Sequence, residues 1–220
     1  MSYYVLDIET RPNPVIQADA DYWAGVAENL EPPGNYKDER KIEEWRLREV
    51  TKQRDQMALR GHAGIVVCIG FQDLEPDAEP VVLCASEESL TAEATVLNNF
   101  LRRMENERPT GFVGWNIRGF DIPFLIGRVG VHRDALQPSS GVIPLPRAWD
   151  RVIDLKEILA IGGEGHLDEW QQAFGFPAKE VTGADVLKIP LPALAKHCHD
   201  DIVATAEIAH RTQWAWSRAR

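Results

Sequence analysis

The stretch Tyr3-Tyr4-Val5-Leu6-Asp7-Ile8-Glu9 decides how the rest of the chain is read. Aromatic and β-branched residues run directly into acid, the composition of a strand that leaves an apolar core and ends at a polar site. Residues 3–7 are therefore expected to form the first strand. The two-residue period of a strand turns Asp7 and Glu9 to the same face. Both carboxylates then lie at the carboxyl end of the strand, where open α/β sheets bind their ligands. Two carboxylates held that close repel one another unless a cation sits between them, so the pair has the spacing of half a divalent-metal site. Acid-x-acid triplets are also common on solvated surfaces, and the reading needs support from the rest of the chain.

Working outward, the apolar strand pattern vanishes from Arg11 to His62. It gives way to Pro12, Pro14, Pro32, Pro33 and Gly34, and then to a charged stretch of helical composition over residues 37–60. This reads as an insertion of about residues 12–62 after the first strand. Its charged part holds eight basic and six acidic residues, which fits a solvated helix that Trp45 packs against the core; a nucleic-acid clamp would need its basic residues along one face. Strand patterns return at 65–71 and 81–85 and suggest an antiparallel meander with the first strand. A helix over 90–105 follows, with Leu97, Phe100, Leu101 and Met104 at helical spacing and Ser89 or Thr91 available as cap. The pattern then alternates: strand 111–116, helix 120–129, strand 152–155, helix 167–174 and a long helix 194–214. The expected fold is α/β, a mixed five-stranded sheet flanked by helices.

Composition bounds the answer. At 220 residues and 44% hydrophobic, the chain suits one domain spanning residues 1–220. It shows no apolar run long enough for a membrane span and no secretory pattern at its start. Three cysteines, Cys68, Cys84 and Cys198, fit neither a disulfide framework nor a metal knuckle, so a reducing cytoplasm is the expected compartment. A net charge of −10 argues against a broad basic surface, and any nucleic-acid contact must be local.

Two further segments carry candidate chemistry. Gly114-Trp115-Asn116-Ile117-Arg118-Gly119-Phe120-Asp121 places an acid where a strand passes into a helix; taken alone, Asp121 also reads as a helix cap. Lys196-His197-Cys198-His199-Asp200-Asp201 lies on the last helix, where His197 and Asp201, four apart, share one face. A His-Cys-His zinc site does not follow, because adjacent helical residues diverge.

Taken in order, Asp7-x-Glu9 on a strand, Asn116-x3-Phe120-Asp121 opening a helix and His197-x3-Asp201 on a late helix resemble the DEDD exonuclease superfamily. More narrowly, the chain resembles bacterial and phage 3′-5′ exonucleases related to the proofreading domain of family-B DNA polymerases. Pro32-Pro33-Gly34-Asn35-Tyr36-Lys37-Asp38, Asp154-Leu155, Leu167-Asp168-Glu169 and Gly175-Phe176-Pro177-Ala178-Lys179 carry the likeness along most of the chain. The resemblance implies a ribonuclease-H-like fold. It also implies a site in which Asp7, Glu9, Asp121 and Asp201 hold two Mg²⁺ or Mn²⁺ ions and phosphodiester bonds are hydrolysed at the 3′ end of single-stranded DNA, or RNA. Thr10, Arg11, Asn116 and Lys179 are the substrate-binding residues by the same analogy. Nothing resembling a polymerase follows, so the chain is expected to stand alone or to act in trans with an unspecified replication or repair partner.

The third motif departs from the pattern. The tyrosine branch of the superfamily carries Tyr-x3-Asp and the histidine branch His-x4-Asp, whereas this chain has His197-x3-Asp201. By spacing, His197 stands in the tyrosine position, as general base or as positioner of the attacking water; the alternative is a structural histidine paired to Asp200 or Asp201. Two other readings of the whole chain stay open: a non-catalytic module that binds nucleic-acid ends or a replication partner, and a phosphoesterase for small nucleotides.

Overall fold

The first strand, β1, runs Tyr3–Pro12, well beyond the expected end at Asp7. Its alternation decides the fold. Tyr4, Leu6 and Ile8 enter the main core with Phe100, Leu101 and Leu125, while Val5 packs on Ile202 and Ala206 of the last helix. The sheet has the order β3-β2-β1-β4-β5. Strands β2 (Gly64–Asp73) and β3 (Val81–Cys84) form the antiparallel meander with β1. Strands β4 (Gly111–Gly114) and β5 (Val152–Asp154) add in parallel on the other side. This is the mixed five-stranded α/β sheet of the ribonuclease-H-like fold. The computed structural model describes residues 2–75, 77–136, 144–145, 149–160, 165–177 and 186–216.

The parallel pairing of β1 with β4 covers only Tyr3 to Val5. Asp7 and Glu9 thus lie in the middle of β1, yet past the carboxyl end of its parallel neighbour. The register between β1 and β2 also slips between Glu9 and Thr10, opposite Val67. Such bulges re-aim a side chain and are frequent beside active sites.

The insertion is more helical than its prolines suggest. Helices α1 (Pro14–Ala18) and α2 (Ala20–Glu28) precede the expected charged helix α3 (Glu39–Asp55). Asn13 and Asp19 cap the first two with side-chain oxygens, a signal that the surrounding prolines masked in the sequence. Trp23, with Val50, Met57 and Ala63, forms the insertion's own small core; Trp45, the expected anchor, is only half-buried. The Thr10 hydroxyl donates to the carbonyl of Ala58 at 2.6 Å and ties this unit to β1.

Helices α4 (Leu90–Glu107), α5 (Asp121–Val131), α6 (Leu155–Leu159), α7 (Leu167–Ala173) and α8 (Leu191–Trp216) complete the fold. Ser89 caps α4, its hydroxyl accepting from the Ala92 amide. Among the described residues no helix is long and apolar enough to cross a membrane.

The cysteine reading requires correction. Cys68 and Cys84 are directly opposed across β2 and β3, with a Cα–Cα distance of 4.2 Å, and form a disulfide. Their sixteen-residue separation gave no hint of pairing, because a hairpin register, not sequence spacing, brings them together. The cysteines therefore no longer argue for a reducing compartment.

Candidate active site

Asp121 is the first residue of α5, and its carboxylate does not cap that helix. It reaches across to β1, where Oδ1 accepts the amide of Ile8 at 3.0 Å. The second acidic motif is thereby fastened between Asp7 and Glu9. Burial pushes the Asp121 pKa up to about 7, and the nearby charge of Asp154 adds to the rise; the amides of Ile8 and of Asp121 itself oppose it. A carboxyl in this state holds a proton near neutrality unless a cation takes its place.

The loop that presents Asp121 is built on Asp154, at the end of β5. Its Oδ1 accepts the amides of Asn116 and Lys156, and its Oδ2 that of Arg118, each at 3.0 Å. Arg118 in turn donates to the carbonyl of Val152 and to Glu157. Asn116 adopts a left-handed conformation (φ 55°), which asparagine tolerates better than most residues. Gly119 lies beneath it: a Cβ there would approach Asn116 Oδ1 to 2.8 Å. Sequence analysis singled out Asp154-Leu155 only as a point of likeness. That Asp154 organises the loop required the β4–β5 pairing to be seen.

The third motif arrives on α8, which crosses the sheet at Gly70, the cross-strand partner of Asp7. A Cβ at Gly70 would come within 2.7 Å of both Cys198 Sγ and Ile202; only glycine lets the helix sit this low. Cys198 is buried, and its thiol pKa is pushed well up, first by burial and then by the charges of Asp7, Glu9 and Asp201. Those three carboxylates therefore gather around one point on α8. His197 Nε2 lies 3.7 Å from Glu9 Oε1 and 3.7 Å from Asp201 Oδ2. Donor atoms of Glu9, His197 and Asp201 all fall within 4.8 Å of one another. Asp200 points elsewhere, pairing with Lys196 and His199 on the exposed face, and these contacts lower its pKa against the opposing effect of burial.

Asp7, Glu9, Asp121, His197 and Asp201 all open onto one cleft of about 580 Å³. The remaining expectations divide. Thr10 and Asn116 line the cleft, although the Thr10 hydroxyl is engaged by the insertion. Arg11 does not face it. Its buried guanidinium is taken up by the protein, donating to the carbonyls of Val186 and Ile189 and to Glu88. Sequence spacing could not show this, because the carbonyls that hold Arg11 lie about 175 residues further along the chain. Lys179 lies outside the described residues. Sequence reasoning passed over Trp115, Lys156 and His166, which share the cleft wall; Trp115 sits beside Trp170 with ring centroids 6.4 Å apart.

A mixed sheet of this order flanked by helices is the ribonuclease-H-like fold. Residues 68–136 match the family model described as DNA polymerase family B, exonuclease domain. The backbone is similar over 97% of this chain to the family B DNA polymerase from the hyperthermophilic archaeon Pyrobaculum calidifontis, with a TM-score of 0.57 at 15% sequence identity. The chain spans 24% of that polymerase. No curated protein matches in sequence. The family match covers under a third of the chain, and the likeness to the polymerase shows a shared fold. The matched segment contains Asn116 and Asp121, whereas the other three acids and His197 lie outside it.

Proposed function

We propose that this chain is a divalent-metal-dependent 3′-5′ exonuclease that hydrolyses phosphodiester bonds at the end of single-stranded DNA. The observation that supports this reading above others is the convergence of Asp7, Glu9, Asp121 and Asp201, drawn from three distant elements, on one open cleft. The donor set fits Mg²⁺ or Mn²⁺: carboxylate oxygens dominate it, and the buried Asp121, with a pKa raised to about 7, gains from a neighbouring cation. Asp7 and Glu9 on β1, Asp121 on α5 and Asp201 on α8 are the residues that would hold the ions. When bound, the ions supply Lewis-acid polarisation of the phosphate and neutralise the charge that builds on it.

The chain's own residues hold the strand end. Trp115 offers an aromatic face on which a base stacks, and Lys156 on the same wall meets a phosphate of the polyanion. Asn116 and Lys179 orient the terminal nucleotide. We assign Thr10 and Arg11 to holding the walls of the cleft, through Ala58 on one side and Val186 and Ile189 on the other. The acidic net charge of −10 is compatible with this substrate, since bound cations reverse the local potential and a single-stranded end needs only a short groove.

The test is cleavage of single-stranded DNA and RNA labelled at the 3′ or the 5′ end, with Mg²⁺ or Mn²⁺, for wild type and Asp7→Ala. Stepwise shortening from the 3′ end that is lost in Asp7→Ala supports the proposal. End-binding without metal-dependent cleavage of any substrate overturns it in favour of a non-catalytic module.

A further inference from the structure

We infer that His197 is a metal ligand, not the proton-handling group of the site, and that the ion it shares with Glu9 and Asp201 is a first-row transition dication, Mn²⁺ in preference to Mg²⁺. The inference rests on the cleft being a divalent-metal site and specifies which metal that site selects.

Three observations carry it. The first is distance. His197 Nε2 stands 3.7 Å from Glu9 Oε1 and 3.7 Å from Asp201 Oδ2. Both separations fall inside the roughly 4.2 Å that two donors can span across one ion about 2.1 Å from each. The second is the frame. His197 and Asp201 stand four apart on α8, the spacing by which a helix turns two donors onto one ion, and Glu9 brings the third donor from a strand. Both supports are rigid. Glu9 lies in the paired part of β1, and α8 is seated on Gly70 through Cys198 and Ile202.

The third observation is burial. The side chains of Glu9, His197 and Asp201 are only 10%, 11% and 9% exposed. A group that accepts a proton from water has to present its lone pair to that water. Here Nε2 faces two carboxylates, and all three donors can meet on one cation. A phenol in this position would add a poor ligand to an oxygen site. An imidazole adds a good borderline one, and nitrogen donors raise affinity for Mn²⁺ and the later transition ions far more than for Mg²⁺, which prefers oxygen and water.

The experiment uses the full chain. Mn²⁺ is titrated into wild type, His197→Gln and His197→Tyr, with binding followed by calorimetry and the bound ion examined by pulsed electron paramagnetic resonance. Circular dichroism reports whether each variant is folded. The expected result is a ¹⁴N coupling of directly bound imidazole in wild type that is absent from both variants. Mn²⁺ affinity should fall about tenfold or more in His197→Gln, with a much smaller change for Mg²⁺. Bound Mn²⁺ without nitrogen coupling in wild type overturns the inference and leaves the metal site standing. Equal losses for Mg²⁺ and Mn²⁺ in a folded His197→Gln overturn the claim of selectivity. Failure of wild type to bind any divalent ion removes the metal site itself, and the inference with it. Should a variant fail to fold, the wild-type spectrum alone still decides the ligand assignment.

Discussion

The two ends of α5 treat a buried carboxylate in opposite ways. At the carboxyl end, Glu93 of α4 is fully buried and meets Arg128 at 2.6 Å and His132 at 2.7 Å, while its Oε1 also accepts the amide of Val66. At the amino end, Asp121 is almost as deeply buried, and among the described residues no lysine or arginine pairs with it. Its pKa is driven to about 7 instead. The first carboxylate is balanced within the chain, so its work is to join α4, α5 and β2. The second carries an electrostatic strain that a cation would relieve.

Breaking the balanced end should have the largest effect. Glu93→Ala strands the Arg128 guanidinium, 1% exposed, in the core, and denaturant melts should show a loss of about 3–5 kcal/mol. A loss under about 1 kcal/mol would mean that the network adds nothing to the fold. At the other end, Asp121→Asn should leave the metal-free fold intact while cleavage falls about a hundredfold or more, equivalent to about 2.7 kcal/mol. Full activity in this variant would remove Asp121 from the site.

Asp154 is the intermediate case, a buried carboxylate satisfied by three amides. Asp154→Asn, which loses the charge and one acceptor, should cost about 1–3 kcal/mol of stability and loosen the loop that carries Asn116, raising KM for a single strand more than it lowers kcat. A variant with unchanged stability and KM would show that the loop holds itself.

A pH dependence tests the contrast most directly. The folded-state pKa of Asp121 lies above the ordinary 3.8, so the native state binds this proton more tightly than the unfolded chain does. Its contribution to stability is complete below about pH 4 and is lost as pH rises through about 7. Without metal, wild type should therefore lose stability relative to Asp121→Asn between pH 5 and 8 in thermal melts, and added Mn²⁺ should reverse the trend. Parallel curves for the two proteins would break the contrast between the ends of α5.

Several parts of this molecule were legible from local pattern. The alternation of Tyr4, Leu6 and Ile8 against Val5, Asp7 and Glu9 fixed which acids share a face. The helical spacing of Leu97, Phe100, Leu101 and Met104 fixed α4, and turn residues separated β2 from β3. The expected charged helix of the insertion appeared as α3, whereas α1 and α2 were hidden by the prolines around them although Asn13 and Asp19 mark their starts.

What the sequence determined by itself was therefore the five strands, most of the helices and the acidic residues that meet in the cleft, because periodicity and side-chain type are local properties. Tertiary structure alone decided the rest. It engaged Arg11 with backbone carbonyls and paired Cys68 with Cys84. It also made Asp154 the anchor of the Asn116 loop and brought His197 between Glu9 and Asp201 over Gly70. Each of these depends on a register or a close approach between segments distant in the chain. Such contacts are set by how whole surfaces pack, and residue order along one segment does not encode them.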